Sequence, residues 1–390
     1  MGTPTVCLCM IVKNEAHVIK RCLDSVRPII DAWCIVDTGS TDGTQHIVLE
    51  ELKGLPGALH ERPWQDFAHN RNEAIKLAAP LADYLLVIDA DDVLATTGDG
   101  RNIPQFRRFL GPFDHYTLPI RDSDCSYRRT QLFRGTLGYR YRGVLHEVLC
   151  SPNGARGADL GWPAYVRHGN EGARSRDPDK YRKDAAVLEQ ALAVELDDEL
   201  RRRYQFYLAQ SWRDCSEHER ALAAYKARAD MGGWPEEVFY SLLEMGKLAA
   251  KLNAGDAVVT HRYLIAWEAR PARAEPLCYL AAYLRQKNRP VAGLPFAREA
   301  ARMPRPADIL FVDDSVYEWR ALDEYAVAAS WAGKHDEAIQ ACIRTLSRCL
   351  PEGERKRVEG NLAFCREQAA GKPASAPAAP KAAAGGKRRR

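Results

Sequence analysis

Four short stretches carry side chains able to hold a nucleotide and a metal ion. Asp89-Ala90-Asp91-Asp92 directly follows the apolar run 84–88. Carboxylates this close repel one another unless a cation sits among them. An oxygen-rich set suits Mg2+ or Mn2+, which also bridges phosphate oxygens. In extended geometry Asp89 and Asp91, two residues apart, point the same way. Asp37 opens the stretch Asp37-Thr38-Gly39-Ser40-Thr41-Asp42-Gly43-Thr44 at the end of a second apolar run. Its two glycines permit a tight backbone, and Ser40, Thr41 and Asp42 can cap a following helix. A carboxylate beside an exposed helix start suits the donors of a base or a ribose. Lys13-Asn14-Glu15 follows the first apolar run, and Arg71-Asn72 opens a helical stretch. An arginine near carboxylates and a metal is a phosphate partner. Each stretch also has a plainer reading as a turn or a helix cap.

These groups need elements that bring them to one edge. The first hundred residues alternate strand and helix: strands at 6–12, 32–36, 58–61 and 84–88, helices at 16–26, 44–52 and 71–79, the last stopped by Pro80. Strands separated by single helices imply a parallel sheet with right-handed crossovers, and ligands bind beyond the carboxyl ends of such strands. Residues 112–170 hold shorter β-like pieces at 116–120, 130–134, 139–145 and 164–167 among many glycines, read as a mixed-sheet completion of the same domain.

After about residue 180 the chain is helical. Leu208-Ala209, Trp212, Ala221 and Tyr225 match the small and aromatic positions of a tetratricopeptide repeat. Ala257, Ala292 and Ala338 then serve as the small residue opening further second helices, with spacings of 36, 35 and 46 from Ala221 onward. The last spacing needs an insertion, for which 304–319 is the candidate. Residues 371–390 are rich in Ala, Pro and Gly and end in Lys-Arg-Arg-Arg, a composition that supplies no core and reads as a disordered basic tail. The expected domains are therefore 1–178, 179–370 and 371–390.

Composition narrows the class. The 390 residues are 46% hydrophobic and 28% charged, a globular profile. Lys plus Arg is 56 and Asp plus Glu is 52; the last twenty residues hold six bases and no acid, so the rest carries 50 against 52. The body is no general polyanion binder, which argues against nucleic acid as partner. No stretch approaches the ~20 apolar residues of a membrane helix, and the opening run lacks the charge pattern of a signal peptide. The 11 cysteines include no Cys-x-x-Cys pair, and Cys7 and Cys9 share one face of a strand. Reduced thiols in a cytoplasmic protein are expected.

The segments CMIVKNEAHVIKRCLDSV, IVDTGSTDGT, HNRNEAI and LLVIDADD, in that order, resemble the family 2 glycosyltransferases of the GT-A fold over roughly residues 5–170. The helical extension resembles the subgroup bearing tetratricopeptide-like repeats, which includes protein S-glycosyltransferases of glycosylated bacteriocins. The resemblance implies an α/β catalytic domain followed by an all-α repeat domain. It implies that Val12, Asn14, Glu15, Asp37, Arg71, Asp89 and Ala90 bind a nucleotide sugar, with Asp37 on the uracil or ribose and Arg71 near the phosphates. Thr38 stands where many members have a second aspartate. Asp91 and His168 are implied as ligands of Mn2+ or Mg2+. Within Tyr141-Arg142-Gly143-Val144-Leu145-His146-Glu147, Glu147 is implied as general base and His146 as its orienter or a diphosphate contact; Asp122 and Asp124 are rival bases.

The implied activity is metal-dependent, inverting transfer from a nucleoside-diphosphate sugar, with UDP as the expected carrier. The acceptor is a peptide, protein or glycan that the helical repeats present, unless those repeats form a homodimer. A nucleotidyltransferase would carry a glycine-rich loop near the first strand, and residues 6–15 contain no glycine. The other alternative is a non-catalytic interaction protein whose repeats do the work.

Overall fold

The computed structural model describes residues 3–97, 103–122 and 125–371. Asp124 and the tail from 372 onward lie outside the described residues. Contacts divide the chain into one unit over residues 1–215 and a second over 216–390.

The first unit is built on a mixed sheet. Its strands are β1 (Val6–Val12), β2 (Ala32–Asp37), β3 (Gly57–Glu61), β4 (Tyr84–Val87), β5 (Val93–Thr96), β6 (His115–Asp122), β7 (Cys125–Phe133), β8 (Arg140–Arg142), β9 (Val148–Cys150), β10 (Gly157–Asp159) and β11 (Ala164–Arg167). The spatial order is β3-β2-β1-β4-β7-β6-β11-β5, with β10 beside β6 and a separate β8-β9 hairpin. β1 to β4 run parallel, and β7 joins β4 and β6 antiparallel. The expected parallel half and mixed completion are both present, the arrangement of the GT-A class.

The crossover helices are α1 (Ile19–Val26), α2 (Thr44–Glu51) and α3 (Phe67–Ala78). β1 is buried on both faces because its residues alternate between two cores. Val6, Leu8 and Met10 meet α1 and α2, whereas Cys7 and Cys9 meet Cys34 and the Ala74, Ile75 and Ala78 face of α3. α3 starts four residues before Arg71, because Asp66 accepts the His69 N–H at 2.7 Å and caps it. Arg71 therefore sits in the second turn of α3 rather than at its opening. The expected strand over 139–145 shortens to β8, since Gly143 (φ 110°) and His146 (φ 49°) turn the chain out of extended geometry. Helices α4 (Lys180–Val194) and α5 (Asp198–Asp214) also belong to this unit.

The second unit holds α6 (His218–Asp230), α7 (Pro235–Lys251), α8 (Asp256–Ala269), α9 (Glu275–Gln286), α10 (Pro290–Ala300), α11 (Ala321–Trp331), α12 (His335–Leu346) and α13 (Glu352–Ala369). Each packs on its neighbours in sequence, as helical-hairpin repeats do. Ala221 and Ala338 are fully buried, as a small packing residue should be, but Ala257 and Ala292 are exposed. The packed small residues are instead Gly246, where a Cβ would meet the Tyr263 ring, and Gly293, against the Ala281 backbone. The insertion before α11 is pinned: Glu236 accepts the N–H groups of Ile309 and Leu310 at 2.9 and 2.8 Å, and Arg273 reaches Asp308 at 3.0 Å. No described helix is long and apolar enough to cross a membrane. None of the 11 cysteines forms a disulfide, and only Cys349 is exposed.

Candidate active site

The loops after β1 and β2 are knotted together by side-chain-to-backbone bonds. Asn14, at φ 58°, accepts the Thr41 N–H at 2.8 Å and donates its own N–H to Ser40 Oγ at 2.8 Å. Thr44 Oγ1 takes the Glu15 N–H at 2.8 Å, and Asp42 takes that of Ala16 at 3.0 Å. The Val12 carbonyl accepts the Thr38 N–H and hydroxyl at 2.9 and 3.1 Å. Asp37 Oδ1 accepts the N–H groups of Gly39 and Ser40 at 2.8 and 2.7 Å, while its buried Oδ2 has no hydrogen-bond partner. A buried acceptor without a donor is costly, and a nucleoside N–H or O–H is the kind of group that relieves it.

The acidic stretch is not extended. The Asp92 N–H returns to the Asp89 carbonyl at 3.0 Å, so residues 89–92 form a turn and Asp89 and Asp91 diverge. The expectation that they point the same way fails for that reason. Asp89 faces Arg71, whose Nη2 lies 2.7 Å from Oδ1, and Arg129, 3.4 Å from Oδ2. Burial alone would raise the Asp89 carboxyl, but the two guanidiniums hold it well below the usual carboxylate range. Asp91 Oδ2 instead accepts the Gly172 N–H at 3.1 Å, and burial, then Asp92 and Asp89, push its carboxyl up. Ala90, between them, is buried.

Asp92 is fully buried and binds what surrounds it. It accepts from the His168 ring at 2.8 Å and the Gly169 N–H at 3.0 Å, and lies 3.6 Å from Arg129. Burial works against protonation of His168, but the bond to Asp92 together with the charges of Asp92, Asp122 and Asp89 raises that imidazole. Gly169 leaves no room for a Cβ against the Asp91 carbonyl, so the 168–172 segment closes tightly over the acidic turn.

Arg71 is the centre of the arrangement. Only 10% exposed, it spans Asp89 and Glu147, donating from Nη2 to the first and from Nε to Glu147 Oε1. Burial opposes its charge, but the two carboxylates hold it protonated. Glu147 reaches it from the loop after β8, a hairpin that Asn72 fixes by bonding both the N–H and the C=O of Tyr141, at 2.7 and 2.9 Å. His146 is exposed, and its ring stacks flat on Tyr207 at 3.9 Å. Asp122 accepts from the Asn170 amide at 3.4 Å, at the end of β6.

Three carboxylates (Asp89, Asp92, Glu147) thus pair with two guanidiniums and Asp91 pairs with neither, so the four together carry an excess of two negative charges before His168 is counted. A divalent cation fits that excess. Among the described residues no three His, Cys, Asp or Glu side chains form a metal cage. Asp91 and His168 would be two protein ligands, which suits an ion that keeps waters and takes phosphate oxygens.

Glu15 adds a titrating group. Burial raises its carboxyl to about 7, against the Ala173 N–H that it accepts. A folded value above the unfolded one contributes stability below about pH 4 that is lost as the pH rises through about 7. Glu15→Gln should therefore flatten the fall of Tm between pH 5 and about 8, read by calorimetry; an unchanged slope would show that Glu15 titrates normally.

Two residues escaped the sequence reading. Arg129, on β7, and Asp92, as a binding partner for Arg129 and His168, have no local signal: their pairing depends on an antiparallel strand arriving from forty residues away.

The mixed sheet thus brings an acidic turn and an arginine together at the carboxyl ends of its parallel strands, the edge at which such sheets bind ligands. Residues 7–101 match the family described as Glycosyl transferase family 2. The chain is 45% identical over 89 residues to a TPR repeat-containing protein of Synechococcus elongatus, covering 23% of this chain and 21% of that one. It is 31% identical over 150 residues to the SPbeta prophage-derived glycosyltransferase SunS of Bacillus subtilis, covering 37% of this chain and 35% of that one. The chain thus spans about a fifth and about a third of the lengths of these relatives. A crystal structure of S. aureus TarS aligns at a TM-score of 0.34 and 13% identity, over 65% of this chain and 54% of that one.

Proposed function

We propose that the first unit transfers a sugar from a nucleoside-diphosphate sugar, UDP-linked by its resemblance, to an acceptor with inversion at the anomeric carbon. The observation that carries this reading is the Arg71 bridge, which draws the acidic turn after β4 and the Glu147 loop to one point. Asp37, Asn14 and Glu15 stand at the neighbouring strand ends, where the base and ribose would lie, with Asp37 Oδ2 as the acceptor. Glu147, held by Arg71 through Oε1, takes the acceptor's proton on Oε2 as the nucleophile attacks and the bond to the diphosphate breaks. Arg129, which also borders Asp89 and Asp92 but keeps 39% of its side chain exposed, is more accessible to that diphosphate than Arg71, with 10% exposed. Mn2+ or Mg2+ held by Asp91 and His168 would supply charge neutralisation of the leaving group. The helical repeats of the second unit offer a surface for a peptide or protein acceptor.

The test is nucleoside-diphosphate release from a panel of sugar nucleotides with Mn2+ or Mg2+, comparing wild type with Asp91→Ala. Metal-dependent release from one donor, absent in the variant, is the expected result and names the sugar. Silence with every donor, together with no nucleotide binding by calorimetry, would favour an interaction protein instead.

A further inference from the structure

We infer that helix α5 belongs to the catalytic apparatus, with Arg203, Tyr204 and Tyr207 as positioning residues that aim Glu147. The inference rests on the reading of Glu147 as the base. Arg203 and Tyr207 are one helical turn apart and Tyr204 adjoins them, so the three share one face of α5. Each grips a different point of the loop that carries Glu147. The Tyr204 hydroxyl takes the Val144 N–H at 3.2 Å, and Arg203 Nε donates to the His146 carbonyl at 2.6 Å. The Tyr207 ring carries the His146 imidazole, 3.9 Å between centroids and 3° from parallel. At the start of the helix, Asp197 caps α5 through the Glu199 and Leu200 N–H groups and binds Arg142 at 2.7 Å with its other oxygen. Gly143, packed on Tyr204 and Leu200, completes the clamp.

The loop needs holding. His146 has φ 49°, a left-handed conformation that a side-chain-bearing residue adopts at a cost. It is also exposed, so no core packing fixes it. The α5 contacts are what keep the strained residue in place, and the next residue is Glu147. Freed from α5, the loop would relax and Glu147 would leave its bond to Arg71. The catalytic unit on this view extends through α5, thirty-odd residues beyond the boundary that the motifs suggest.

The experiment compares Tyr207→Ala, Tyr207→Phe and Arg203→Gln with wild type in the full chain. The alanine variant should lose about 10- to 100-fold in kcat, the scale of a displacement of about 1 Å at a reacting group, with donor KM little changed. The phenylalanine variant keeps the stacked ring and should stay near wild type. Arg203→Gln, which leaves the stack but loosens the carbonyl, should fall between them. Loss of donor affinity at full kcat, or equal damage from phenylalanine and alanine, would overturn the assignment. A second readout is independent of turnover. In histidine-labelled protein the His146 ring protons, assigned by their disappearance in His146→Gln, should be shifted upfield by the Tyr207 ring in wild type and Tyr207→Phe and not in Tyr207→Ala. If wild type transfers no sugar, the transferase reading fails while this shift still decides whether α5 holds the loop; an unshifted His146 in wild type refutes the positioning claim alone.

Discussion

Arg71→Ala should cost about 3–5 kcal/mol and remove measurable transfer, because it strands two carboxylates that share one buried cation. Glu147, with 11% of its side chain exposed, loses the guanidinium bonded to Oε1; Asp89 keeps only the longer contact to Arg129 at 3.4 Å. At about 2–4 °C per kcal/mol for a unit of this size, Tm should fall by about 6–20 °C. Removing the orphaned charge as well tests the cause. Arg71→Ala with Glu147→Gln should recover part of the lost Tm while remaining inactive, a non-additivity that separates coupling from cavity formation. The acid limb carries the same signature. The Asp89 carboxyl is depressed in the fold, so its contribution is present above its unfolded value and fades as the pH falls below about 4. Arg71→Ala should show a shallower acid limb. A Tm within 3 °C of wild type, measured by calorimetry, would mean that the bridge does not hold these loops.

Neighbouring aspartates of the acidic turn should respond in opposite ways. Asp92→Ala removes the acceptor for His168 and for the Gly169 N–H, at 2.8 and 3.0 Å, and the charge beside Arg129. Its expected cost is about 2–4 kcal/mol, with activity lost through misfolding of the 168–172 segment. Asp91→Ala removes one bond, to the Gly172 N–H, and relieves repulsion within the turn. Stability should stay within about 1 kcal/mol of wild type while transfer drops by more than about 1000-fold. The Asp91 carboxyl is raised in the fold, so wild type loses stability as the pH climbs above about 4 and the charge forms. Asp91→Ala should escape that loss. Added Mn2+ should raise the wild-type Tm by mass action and leave Asp91→Ala unmoved. Equal Tm losses in the two variants would remove the distinction between a ligand and a structural carboxylate.

What could be read from the sequence follows from how local each cause is. The apolar runs of β1, β2 and β4 are continuous because these strands are covered on both faces, and they stand where expected. The β11 bounds coincide with the expected 164–167. Signals that depend on one side chain were weaker: Asp66 starts α3 earlier than its apolar spacing suggests, and a turn at Asp92 bends a segment that reads as extended. Pairs that form across the fold were invisible. Arg129 reaches Asp89 only because β7 lies beside β4, and Tyr207 reaches His146 only because α5 folds back on the β8–β9 hairpin. In the repeats the helical hairpins were legible but the packing positions only in part: Ala221 and Ala338 are buried as expected, Gly293 rather than its neighbour Ala292 takes the packed position, and Ala257 is exposed while Gly246 on the preceding helix is packed.

The reduced cysteines have a practical consequence for anyone wishing to watch this molecule. Burial forces the Cys9, Cys22 and Cys278 thiols far above their ordinary values, so they stay protonated and sluggish toward electrophiles at neutral pH. Cys349 alone stands in solvent, between α12 and α13. A maleimide dye added briefly should settle there first, giving the unaltered chain a single optical reporter on its helical repeats.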